Sequence, residues 1–132
     1  MLRSLVVLLA LTSVQSQLLA CSCGGEEFVI RGLEQEGLSV PGPDVFLGRV
    51  VDWRTPKEAA IEPIEVFRGG NGTRVLRQDA RYDNTSCAAG FLPNEEFVYF
   101  SDKNNLIGFC SKLPATQRLL EALRAASGRR PK

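Results

Sequence analysis

The chain contains no histidine, and only one methionine and one tryptophan, in 132 residues. Without imidazole the usual nitrogen ligand of a metal and the usual general base are missing. That excludes Cys-His and Ser-His nucleophilic catalysis and any zinc site built on histidine. An excess of either charge is also lacking, with 16 Lys and Arg against 15 Asp and Glu, so there is no electrostatic case for nucleic acid. Long apolar runs are absent: the longest, Leu5 to Leu11, is far too short to span a bilayer as a helix. No internal repeat occurs, and the Gly69 to Gly72 cluster lacks the lysine and helix of a phosphate-binding loop.

What is present begins with MLRSLVVLLALTSVQSQLLA, one basic residue (Arg3), an apolar run, then small and polar residues. This is the order of an export signal, so residues 1–20 are expected to be removed and the protein secreted and extracellular. The mature chain would then balance 15 basic against 15 acidic side chains. Three processing outcomes stay open. Cleavage after Ala20 frees Cys21, cleavage after Ser16 leaves Gln17 to Ala20 in front, and Leu18-Leu19-Ala20-Cys21 loosely matches a bacterial lipoprotein signal. Lipidation would consume the Cys21 thiol and is the one route to a membrane anchor.

Four cysteines, Cys21, Cys23, Cys87 and Cys110, in a short exported chain argue for two disulfides, and sequence alone permits three pairings. Cys21 and Cys23 do not bond each other, because a disulfide needs Cα atoms about 5–6 Å apart. Each therefore reaches to Cys87 or Cys110. The sequons Asn71-Gly72-Thr73 and Asn84-Thr85-Ser86 are possible glycosylation sites.

Along the mature chain, residues 24–43 mix glycine and proline punctuation with scattered apolar positions and read as an irregular wrap with about one helical turn. Strands are expected at 44–53, 60–69, 73–79, 95–102 and 106–111, with a hairpin turn at Gly69 to Gly72, a long loop at 80–94 and a bulge at Gly48. The pairs Glu26-Glu27 and Glu95-Glu96 read as solvated faces. Period changes at 115–127, where Thr116 caps a helix, Leu119, Leu120 and Leu123 share a face and Gly128 stops it. Five strands without an intervening helix predict an all-β, five-stranded antiparallel barrel with a short C-terminal helix and a basic tail at 113–132.

A C-x-C directly after the signal, then DVFLGRVV, a strand ending VFRG, a cysteine in a loop before EEFVYF, and LIGFCS together resemble the N-terminal domain of the tissue inhibitors of metalloproteinases, within the netrin-like module group. The resemblance covers residues 21–112. It implies an OB-type barrel with the pairings Cys21–Cys87 and Cys23–Cys110. It also implies an inhibitor whose Cys21 α-amine and carbonyl oxygen chelate the zinc of a target protease. Ser22 would then enter the pocket beyond the scissile position, Cys23 and Gly24 would continue the inhibitory ridge, and Thr85 and Ser86 would flank it. A free α-amine with a pKa near 7.7 suits that role. No cofactor, no enzymatic activity and a monomer are expected, with an extracellular zinc metalloprotease as the partner. The alternative is a non-inhibitory netrin-like module that binds another extracellular protein.

Overall fold

The computed structural model describes residues 25–38, 42–82, 90–108 and 110–128. Helix α1 spans Gly25–Glu36, and strands β1 (Asp44–Thr55), β2 (Glu58–Arg68) and β3 (Arg74–Gln78) follow. A short 3-10 turn at Ala80–Tyr82 precedes β4 (Glu96–Ser101), β5 (Leu106–Ile107), β6 (Lys112–Pro114) and helix α2 (Gln117–Ala126).

The six strands form one sheet in the order β5-β3-β2-β1-β4-β6. β1 is its spine, pairing antiparallel with β2 from Val45↔Arg68 to Thr55↔Glu58 and with β4 from Asp44↔Ser101 to Arg49↔Glu96. β3 and β5 pair in parallel at Arg77↔Leu106 and Gln78↔Ile107, and the Asp102 N–H donates to the Leu106 carbonyl across the β4–β5 turn. That turn brings the end strand β5 back beside β4, giving a nearly closed barrel.

Alternation along β1 explains two cores. Phe46 and Val50 point into the barrel with Ala59, Ile61, Leu76, Phe91, Tyr99 and Ile107, and the Phe46 and Tyr99 rings lie 5.6 Å apart. Val45 and Leu47 point the other way, with Phe67, Val98 and Leu113, onto Ile30 of α1 and Leu119 and Leu123 of α2. Because both faces are covered, residues 45 to 48 are all buried. Gly48 sits at a register shift, and a Cβ there would lie 2.5 Å from Ile61 Cγ2.

The all-β, five-stranded, wholly antiparallel expectation is therefore corrected to a mixed α/β fold with six strands and two substantial helices. α1 forms where an irregular wrap is expected. Val29, Ile30 and Leu33 fall on one stripe, and Glu26 and Glu27 complement the positive N-terminal end. Gly37, at φ +66°, ends the helix and donates to the Leu33 carbonyl at 2.9 Å. α2 starts at Thr116, whose Oγ1 accepts from Leu119 N at 3.2 Å. The helices are joined by Thr116 donating to Glu26 and by an Arg118–Glu27 ion pair. Arg124 meets Glu65 on β2 at 2.8 and 2.9 Å.

Of the four cysteines only Cys110 is among the described residues. Cys110 is exposed and disulfide-bonded. Cys21, Cys23 and Cys87 lie outside the described residues, and the expected pairings with them.

Candidate functional site

Of the residues singled out from sequence, Ser22, Gly24, Asn84, Thr85 and Ser86 fall outside the described residues, with the three cysteines just named. Asn71 lies exposed in the turn between β2 and β3. That turn is gripped by Arg74, which donates to the carbonyls of Gly70 and Gly72, pairs with Asp44 at 2.6 Å and lies 4.5 Å over the Phe46 ring. All of the expected inhibitory residues, Cys21, Ser22, Cys23, Gly24, Thr85 and Ser86, thus lie outside the described residues.

The inhibitor expectation is corrected by the fold. It requires a chain start held flat on an all-β barrel. Instead the chain from Gly25 enters a helix packed on α2. Among the described residues no group of three or more Cys, Asp or Glu side chains is placed to hold a metal ion. The netrin-like module rests on the same resemblance and its OB-type barrel, and is corrected with it.

Two clusters remain where ionisable groups meet burial or concavity. The first is inside the barrel. Lys112 Nζ donates to both Glu95 oxygens at 3.1 and 3.0 Å and to the Gly90 carbonyl at 2.9 Å, while the Tyr99 hydroxyl donates to Glu95 Oε1 at 3.0 Å. Burial, then the Glu95 charge and the hydrogen bond to it, pushes the Tyr99 hydroxyl well above its usual value. Lys112 also lies 4.5 Å from the centre of the Phe97 ring. Every charged group here is matched, with Glu95 buried and Lys112 largely so, and the cluster holds the 90–95 loop to the barrel. Sequence reasoning placed Glu95 on a solvated face. Lys112, one strand across from Tyr99 on β6, is what makes its burial tolerable.

The second cluster lines a cleft of about 300 Å³. Pro43, Phe100, Leu106 and Ile107 supply its apolar surface, and Asp79, Arg81, Asp102 and Ser111 its polar groups. Two tight turns build its walls. In the first, Asp102 Oδ1 accepts from Asn104 N at 2.8 Å and Leu106 N at 2.9 Å, with Asn105 at φ +60°. In the second, Ser111 Oγ accepts from Gly108 N at 2.8 Å and the Ser111 carbonyl accepts from Phe100 N at 2.7 Å. The β3–β5 pairing extends through Asp79 N–H to the Ile107 carbonyl at 2.9 Å and carries Asp79 and Arg81 to the rim.

The rim charges are unequal. Arg81 Nη2 donates to Asp79 Oδ2 at 2.7 Å, and the Arg81 Nε and backbone N–H also donate to that carboxylate. The guanidinium first, and the backbone N–H next, hold the Asp79 carboxyl below its ordinary value. Asp79 and Arg81 therefore neutralise each other. Asp102 has no ion-pair partner among the described residues, so the cleft presents an apolar floor and one unbalanced carboxylate. Its size sits at the small end of ligand-binding cavities. Only the turn at 103–105 was legible from sequence; the cleft is assembled from four separated segments.

No family model matches the chain, and neither a characterised protein nor a solved structure is similar enough to count as a match.

Proposed function

We propose that the protein is an exported, non-enzymatic binding domain whose cleft takes a short segment of an extracellular partner, with an apolar side chain beside a basic one. The observation that supports this is the pairing of the Pro43, Phe100, Leu106 and Ile107 surface with the unbalanced charge of Asp102. The polar groups lining the cleft are committed to structure: Asp79 to Arg81, and Ser111 Oγ to Gly108 N–H. An apolar side chain would cover the floor, and a lysine or arginine would meet the carboxylate at the rim. An exposed ion pair contributes about 0.2–1 kcal/mol; the upper part of that range, about 0.4–1 kcal/mol, is a two- to fivefold preference, and the apolar contact supplies the rest.

The test is selection from a random peptide library displayed on phage, using the full exported protein. Sequences pairing Lys or Arg with Leu, Ile or Phe should be enriched. Asp102→Asn keeps an oxygen to accept the two turn N–H groups while removing the charge. With that variant the basic preference should fall two- to fivefold and the apolar one persist. Enrichment without a basic residue, or identical enrichment on both proteins, overturns the proposal.

A further inference from the structure

The turn between β2 and β3 carries a motif that the cleft does not use. It reads Gly69-Gly70-Asn71-Gly72-Thr73, and every residue from 69 to 73 is exposed. Arg74 fixes its backbone, donating to the Gly70 carbonyl, to the Gly72 carbonyl at 3.4 Å and to Asp44 Oδ2 at 2.6 Å. Asn71 is thus held between two anchored carbonyls while its own side chain takes no part. Among the described residues, neither the Asn71 amide nor the Thr73 hydroxyl makes a hydrogen bond. The surroundings are open as well. A Cβ added at Gly72 would meet nothing within 4 Å, and one at Gly70 only the Arg74 tip at 3.9 Å.

We infer that Asn71 is an acceptor for an N-linked oligosaccharide. The reaction needs an asparagine followed two residues later by Ser or Thr, with no proline between, and the bulky hydrophilic product is tolerated only at the surface. Asn71-Gly72-Thr73 meets each condition. Asn94, Asn104 and Asn105 do not, because Glu96, Leu106 and Ile107 stand where the hydroxyl is required. In the transfer, Asn71 Nδ2 bonds to the anomeric carbon of an oligosaccharide carried on a polyprenyl diphosphate. The sugar–phosphate bond breaks, the diphosphate leaves with the bonding electrons, and the amide nitrogen gives up one proton. Because the Asn71 side chain makes no contact that the sugar would break, the barrel closes with the glycan outside it. The inference rests on the export that the proposed function also assumes, and on nothing in the cleft.

The test is expression of the full chain in a eukaryotic secretory host, with peptide mapping by mass spectrometry of protein from the medium and from the cells. Trypsin isolates the site as residues 69–74, between Arg68 and the bond after Arg74. In the unaltered secreted protein this peptide should carry an oligosaccharide. Peptide N-glycosidase should release it from the native protein without heating, because the turn is exposed. Thr73→Ala keeps Asn71 but removes the hydroxyl, so the sugar on this peptide should be lost, whereas Thr73→Ser should retain it. The map of the unaltered protein decides the matter even where a variant fails to fold. A bare 69–74 peptide from secreted protein, a glycan that persists with Thr73→Ala, or release only after denaturation would overturn the inference and leave the cleft proposal standing. A chain kept in the cytosol with residues 1–20 attached would overturn this inference and the export on which the proposed function relies.

Discussion

Replacing Lys112 by alanine tests the barrel's internal electrostatics. The change removes three donor contacts, to Gly90 O and both Glu95 oxygens, and the cation over the Phe97 ring. It leaves the Glu95 side chain, only 5% exposed, with the Tyr99 hydroxyl as its remaining donor. Deleting one partner of a buried pair costs about 3–5 kcal/mol, because the other charge stays desolvated. The Lys112 side chain is 13% exposed, so water can fill part of its space and the lower end applies, about 3 kcal/mol. At roughly 4 °C per kcal/mol for a domain of this size, Tm should drop by about 12 °C. Urea unfolding followed by Trp53 fluorescence gives the free energy directly. The double variant Lys112→Met, Glu95→Gln removes both charges, keeps a stem against Phe97 and leaves an acceptor for Tyr99, so it should lose less than the single one. A single-variant loss under about 1 kcal/mol, or a double variant worse than the single, would refute the reasoning.

Two further outcomes follow from the same barrel. Tyr99 stays protonated in the fold beyond the pH at which the unfolded chain loses its proton, about 10, so its stabilising effect is whole below pH 10 and declines as pH rises above it. The decline is at most about 1.4 kcal/mol per pH unit, and Tyr99→Phe should abolish that part of it; an unchanged alkaline slope in urea titrations would contradict this. Gly48→Ala would place a Cβ 2.5 Å from Ile61 Cγ2 and 2.9 Å from Phe46 Cε2. Overpacking of this kind costs about 1–3 kcal/mol, and a thermal melt matching the unaltered protein would show that the strand yields.

β1 to β4 were legible because β-branched and aromatic runs stand between prolines and glycines, and α2 because its leucines keep the helical period; the strand expected at 106–111 is only Leu106–Ile107. α1 was not legible. Its apolar stripe is three residues wide, and Gly32 in its interior costs about 1 kcal/mol relative to alanine. Its remaining support comes from Thr116 and Arg118, some 90 residues away in sequence. The Glu95-Glu96 pair shows the same limit. Strand alternation correctly separates the two carboxylates, and Glu96 does sit outside beside Arg49 at 3.1 Å. Only the β4–β6 pairing reveals that a lysine waits for Glu95 on the other side. β6 itself is three residues ending in Pro114, too short to carry a pattern. The cleft depends on the parallel β3–β5 pairing, which brings Asp79 and Arg81 to the turns around Asp102 and Ser111.

The binding proposal is tested most directly by titrating a library-selected peptide into the isotope-labelled protein and following each backbone amide by NMR. Saturable shifts should concentrate at Phe100, Asp102, Leu106, Ile107 and Ser111, and weaken two- to fivefold in affinity with Asp102→Asn. Shifts confined to another surface, or an affinity indifferent to Asp102, would contradict the cleft as the site of recognition.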